Sequence, residues 1–116
     1  MQKCNEDDIA QAIDLLGKEN EEIRSALSSK DFADKEIDII KSAYERRGQI
    51  IAFLKECEKN NSQYCIIINS DFLQQKLKFL IEDDDNIITE LKSRTEKLGS
   101  DLRTLLKNKH SIKKYT

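Results

Sequence analysis

DFLQQKLKFLIEDDDNIITELKSRTEKL, residues 71–98, is the stretch on which the fold turns. Leu73, Leu77, Leu80, Asp84, Ile87, Leu91, Arg94 and Leu98 follow one another at alternating steps of four and three. That spacing places about one side chain per turn on a single face of an α-helix, the seam of a helix packed on partners. Ile81 and Ile88 run parallel to the seam and broaden it. Beyond a bend point at Gly99-Ser100, Leu102, Leu105, Leu106 and Ile112 carry the apolar pattern on. A helix over about 71–111 is predicted, and from Asp71 to Lys109 it would measure roughly 58 Å at the α-helical rise.

Two earlier segments share this periodicity. Ile9, Ile13, Leu16, Asn20, Ile23 and Leu27 predict a helix over about 5–28. Asn5 is placed to cap it, and Glu6, Asp7 and Asp8 suit the positive end of its dipole. Ile37, Ile40, Tyr44, Arg47, Ile51 and Leu54 predict a second helix over about 31–59, with Asp31 and Asp34 spaced as a capping box. Gly48 lies within that helix and marks a candidate point of close approach by a neighbour. Between the second and third helices, Tyr64-Cys65-Ile66-Ile67-Ile68 reads as strand or as a buried helical turn. A lone strand would have no partner in this chain, so an apolar, helical connection within 62–69 is expected. Asp71 and Gln74 are spaced as another capping box.

The expected fold is therefore all-α: one domain over 1–116, an antiparallel up-down-up bundle of three main helices with a long C-terminal helix. Composition agrees. Hydrophobic residues make up 38% and charged residues 36%, with no Pro and only three Gly, which favours long helices over sheets. The formal net charge is −2, so no overall field draws the chain to nucleic acid. The charge is uneven: residues 1–45 carry twelve acids and six bases, and residues 92–116 carry two acids and eight bases. A basic helix end complements its own dipole or meets an acidic partner.

Chemistry-bearing motifs are scarce. Cys4, Cys57 and Cys65 show no CxxC spacing, and His110 is the sole histidine, so neither a zinc site nor a disulfide framework is expected, and the thiols are expected reduced. No metal or cofactor is expected. The acidic run Glu82-Asp83-Asp84-Asp85 points around a whole helix circumference and reads as solvated. GxxxxGK, GxGxxG, GxSxG and HExxH are absent, so no enzyme is expected. The N-terminus lacks the apolar core of a signal peptide, and no apolar run is long enough for membrane insertion; a cytoplasmic protein is expected.

Polar residues on the seams carry two readings. Asn20 fixes register. Asp84, Arg94 and Arg47 form an interhelical ion pair or snorkel, or else they line an open groove that reads a partner's polar groups.

Two longer stretches carry a family resemblance: ALSSKDFADKEIDIIKSAYERRGQIIAFL, then FLIEDDDNIITELKSRTEKLGSDLRTLLKNKHSIKKY. An acidic stretch, an Ile-Ile pair, ELKSR and the terminal SIKKY fall in an order that resembles the flagellar type III export chaperones of the FliT kind. The resemblance covers roughly ninety residues from Ala26 onward. It implies a small cytoplasmic helical protein that shields the filament-cap protein, or another export substrate, before secretion, and that meets the export apparatus. Members of that family often continue past the position of Tyr115 into a helix packed over the binding groove. Here that element is expected to be absent, moved to Tyr64–Ile68, or supplied by the first helix.

The third helix is predicted to outrun its neighbours near Gly99, leaving an apolar stripe to be covered. Partner binding is accordingly assigned to Leu91, Arg94, Leu98, Leu102, Leu105, Leu106, Ile112 and Tyr115. The alternative is a structural one, a homo-oligomeric coiled coil or homodimer in which a second copy covers the stripe.

Overall fold

The computed structural model describes residues 4–98, with side chains described through residue 93. It contains four helices and, among the described residues, no strand: α1 Glu6–Leu27, α2 Asp34–Asn60, α3 Tyr64–Ile68 and α4 Asp71–Leu98. The continuation of the last helix toward residue 111 lies outside the described residues.

The helix starts follow local chemistry, with two corrections. Asn5 caps α1 as expected, its side chain accepting from the Asp8 N–H at 2.8 Å while the Asp8 carboxylate accepts from the Asn5 N–H at 3.4 Å. This reciprocal pair satisfies two donors that the helix leaves orphaned. α2, in contrast, begins three residues later than predicted. Its N-cap is Ala33, with no side-chain cap, so the Asp31–Asp34 box does not form. Phe32 packs half-buried against the core instead, and residues 28–33 turn to deliver it there. At α4 the capping role falls to Ser70, whose carbonyl accepts the Gln74 N–H at 2.9 Å and whose hydroxyl lies 3.5 Å from the Leu73 nitrogen. The Gln74 amide turns back to the Ile68 carbonyl at 2.7 Å rather than closing a box on Asp71. The apolar connection is helical, as α3; it buries Tyr64 and Ile68 and leaves Ile66 exposed.

α1 is the spine, packing along both α2 and α4, while the backbones of α2 and α4 stand apart. Cross-helix contacts record the register. The Asn61 amide donates to the Cys4 carbonyl, Arg46 to Glu19, and the Ser29 hydroxyl to Glu36; on the other side Lys76 meets Asp14 at 2.6 Å and Arg24 meets Asp83 at 3.2 Å. At Gly17 an added Cβ would meet Leu80 at 3.8 Å, an ordinary contact distance, so the packing of α1 on α4 does not require glycine there.

The seams read from the sequence are the core. Ile9, Ile13 and Leu16 of α1, Ile51 and Leu54 of α2 and Leu73, Leu77 and Leu80 of α4 form one apolar cluster with α3. Ile23 and Leu27, Ile37, Ile40 and Tyr44, and Ile87 and Leu91 form a second. Between the two, each of the three long helices contributes one buried polar seam residue: Asn20, Arg47 and Asp84.

Candidate functional site: an apolar face on α4 above a buried polar layer

The polar layer is a consequence of the seam spacing. On α1, Asn20 follows Leu16 by four and precedes Ile23 by three; Asp84 occupies the equivalent step of α4, and Arg47 the reversed one of α2, three after Tyr44 and four before Ile51. The Arg47 guanidinium approaches the Asp84 carboxylate at 3.0 Å, with the arginine side chain fully buried. Its carbon also sits 4.8 Å from the centroid of the Tyr44 ring, a cation–π contact. The Asn20 amide nitrogen and oxygen are buried without a hydrogen-bond partner among the described residues. Such groups cost stability in a low-dielectric interior, so the layer favours one register over others more than it strengthens the bundle. The acidic run is thereby split. Glu82 and Asp85 face solvent, Asp83 meets Arg24, and Asp84 is core, in the interhelical ion pair that its seam position predicts.

Burial also shifts three acidic protons. It pushes the Tyr44 phenol up to about 12, the nearby Arg47 cation opposing and the Asp84 carboxylate adding to the rise. It pushes the Tyr64 phenol up to about 12, aided by Glu58. The Cys57 thiol rises to about 12 through burial first, then through its hydrogen bond with Cys4. All three groups stay protonated to higher pH in the folded chain than in the unfolded one. Their stabilising contribution is complete below about pH 9, the ordinary thiol value, and is lost as pH climbs toward about 12. Urea midpoints are expected to fall steadily between pH 9 and 12, and less steeply in Tyr44→Phe; a midpoint constant across that range would contradict the assignment.

The surface above this layer presents its largest apolar groups on one flank of α4. Phe72 is 62% exposed and Phe79 73% exposed, seven residues apart and therefore on the same side of the helix. Lys76 stands between them, 4.9 Å from the Phe72 ring centroid and held by Asp14. Phe79 lines a groove of about 360 Å³ against Ile13, Gly17 and Arg24 of α1. Along α4 lies a second open groove of about 620 Å³, lined by Gln74, Leu77, Lys78, Ile81 and Glu82. A larger groove of about 1010 Å³ separates the outer faces of α1 and α2. Its apolar residues Leu15 and Ile39 are only moderately exposed, and the Arg46 pairs with Glu19 and Glu22 lie along the same face. Phe72 and Phe79 are the more exposed side chains, with the Lys76 ammonium between them.

Of the residues assigned to partner binding from sequence, Leu91 is fully buried in the second core cluster. Arg94 and Leu98 lie on the last turns of α4, where side chains are not described. Leu102, Leu105, Leu106, Ile112 and Tyr115 lie outside the described residues. The sequence reading missed Phe72 and Phe79. Their signal was present: each immediately precedes a seam leucine, Leu73 or Leu80, and so stands about 100° off the buried stripe.

Among the described residues no three His, Cys, Asp or Glu side chains gather as a metal site, and no helix is long and apolar enough to cross a membrane. The class defined is a helical bundle with an exposed aromatic flank. No protein-family model, curated protein or solved structure matches the chain.

Proposed function

We propose that this protein is a non-enzymatic, cytoplasmic binding module that holds an amphipathic segment of a client, as a flagellar export chaperone or adaptor does for the filament-cap protein or another export substrate. The observation that carries the reading is the exposed pair Phe72 and Phe79, two large aromatic side chains on one side of α4 whose apolar area a partner can cover. An amphipathic client helix laid along α4 would cover both rings. Leu98, at the end of α4, and Leu102, Leu105, Leu106, Ile112 and Tyr115, beyond the described residues, belong to the same reading as a continuation of the client surface.

An up-down-up arrangement is part of this proposal. Contacts between residues 4 and 61, 19 and 46, and 29 and 36 support opposed directions for α1 and α2; contacts between 14 and 76 and between 24 and 83 support a common direction for α1 and α4.

Full burial of a Phe side chain stabilises by roughly 1.5–3 kcal/mol before the costs of association, so the pair supports binding in the micromolar range. The test uses the filament-cap protein encoded by the same genome, titrated into the full chain by calorimetry. Binding should be measurable, and Phe72→Ser with Phe79→Ser should weaken it at least tenfold without altering the melting temperature. Absence of binding by the parent chain would remove the flagellar reading. Unchanged binding by the double variant would move the site off this flank. A parent chain whose mass doubles with concentration, and whose variant stays monomeric, would assign the flank to a second copy instead.

A further inference from the structure

Cys4 and Cys57 are fifty-three positions apart in sequence and are neighbours in the fold. Cys4 precedes the N-cap of α1, packs half-buried against the first core cluster, and has its carbonyl held by the Asn61 side chain. Asn61 in turn donates its own N–H to the Cys57 carbonyl at 2.9 Å. One asparagine therefore ties the chain entering α1 to the last turn of α2, and the Cys57 thiol, fully buried, hydrogen-bonds the Cys4 thiol. Cys65, the third thiol, is exposed on α3.

We infer that Cys4 and Cys57 form a reversible redox clamp, a thiol pair that closes to a disulfide joining the start of α1 to the end of α2. The oxidant is a small disulfide of the glutathione class. Cys4, the more accessible thiol, loses its proton and attacks one sulfur of the oxidant, whose other half leaves as a thiolate and takes up a proton. Cys57 then loses its proton to solvent and attacks the Cys4 sulfur, expelling the second small thiolate. Two protein thiols become one disulfide, and one small disulfide becomes two thiols, so electrons and protons balance.

The surroundings set the rate. Burial, Cys4 on the entering segment, Asp8 on α1 and Glu56 on α2 all disfavour the Cys57 thiolate. Ring closure is therefore slow near neutral pH and accelerates as pH rises, because the thiolate is the attacking species. Once made, the link closes a ring over residues 4–57. It removes freedom chiefly from the unfolded chain, and long rings gain most from that.

The experiment uses the full chain and its Cys65→Ser variant, equilibrated in reduced and oxidised glutathione mixtures. Both proteins are expected to lose two hydrogens, to yield a cross-linked peptide containing Cys4 and Cys57, and to melt on the order of 10 °C higher than when reduced. Dithiothreitol should reverse all three changes. Cys4→Ser, at the edge of the fold, should abolish the link and the shift while leaving the reduced melting temperature nearly unchanged. The inference is overturned if Cys4 accumulates only a glutathione adduct, if the link uses Cys65, or if the closed ring melts where the open chain does.

Discussion

Asp84→Ala is expected to destabilise the protein by about 3–5 kcal/mol, because it leaves the Arg47 guanidinium buried beside an apolar surface with its carboxylate removed. Arg47 is fully enclosed, and Asp84 approaches it at 3.0 Å. Taking one charge away costs far more than the pair is worth, since desolvation of the survivor is no longer offset. A small domain has roughly 5–15 kcal/mol in total, so the variant should sit near or past its unfolding threshold at room temperature. Replacing both partners by apolar residues of similar bulk, Arg47→Met with Asp84→Leu, is expected to be neutral or stabilising by about 1–4 kcal/mol. Urea titration of the three proteins decides the matter. A loss under about 1 kcal/mol for Asp84→Ala would mean that water reaches the layer. The double variant carries a second expectation: with the ion pair gone and only Asn20 and the Tyr44 hydroxyl of the described layer left polar, register is less strictly specified, and cross-linking by residue pair should report more than one arrangement.

Leu91→Ala follows in size, with an expected loss of about 2–5 kcal/mol from the transfer term and the cavity left behind. Leu91 is fully buried and shares its cluster with Ile23, Leu27, Ile40 and Ile87. The sequence reading placed it at the head of a partner-binding stripe, so this variant separates the two roles. If Leu91 serves the core, the melting temperature drops while the folded fraction binds client as the parent does. A variant of parental stability that no longer binds would return Leu91 to the interface.

The seams were legible in the sequence because a four-three repeat on an α-helix admits one solution: every seam residue faces the same way, whatever the neighbours are. Hence Leu73, Leu77, Leu80, Ile87 and Leu91 were identified as one face before any partner helix was known, and Asn5 as a cap from its place before three acids. Even the polar interruptions were located, since Asn20, Arg47 and Asp84 stand out against apolar neighbours. Local reasoning failed where a tertiary contact outweighed it. Asp31 lost its capping role because burying Phe32 gains more than one cap hydrogen bond, whereas the seam position of Asp84 within the acidic run predicts the ion pair it makes with Arg47.

What the sequence by itself determined, then, is that the chain makes amphipathic helices and which stripe of each is apolar, because both follow from side-chain order along a rigid local geometry. Only the tertiary structure decided that the three polar interruptions meet at one level, that Cys4 lies against Cys57, and that Phe72 and Phe79 remain uncovered. Those outcomes depend on the relative shift of whole helices along and around one another. That shift is set by the summed packing of every layer at once, which no single segment encodes.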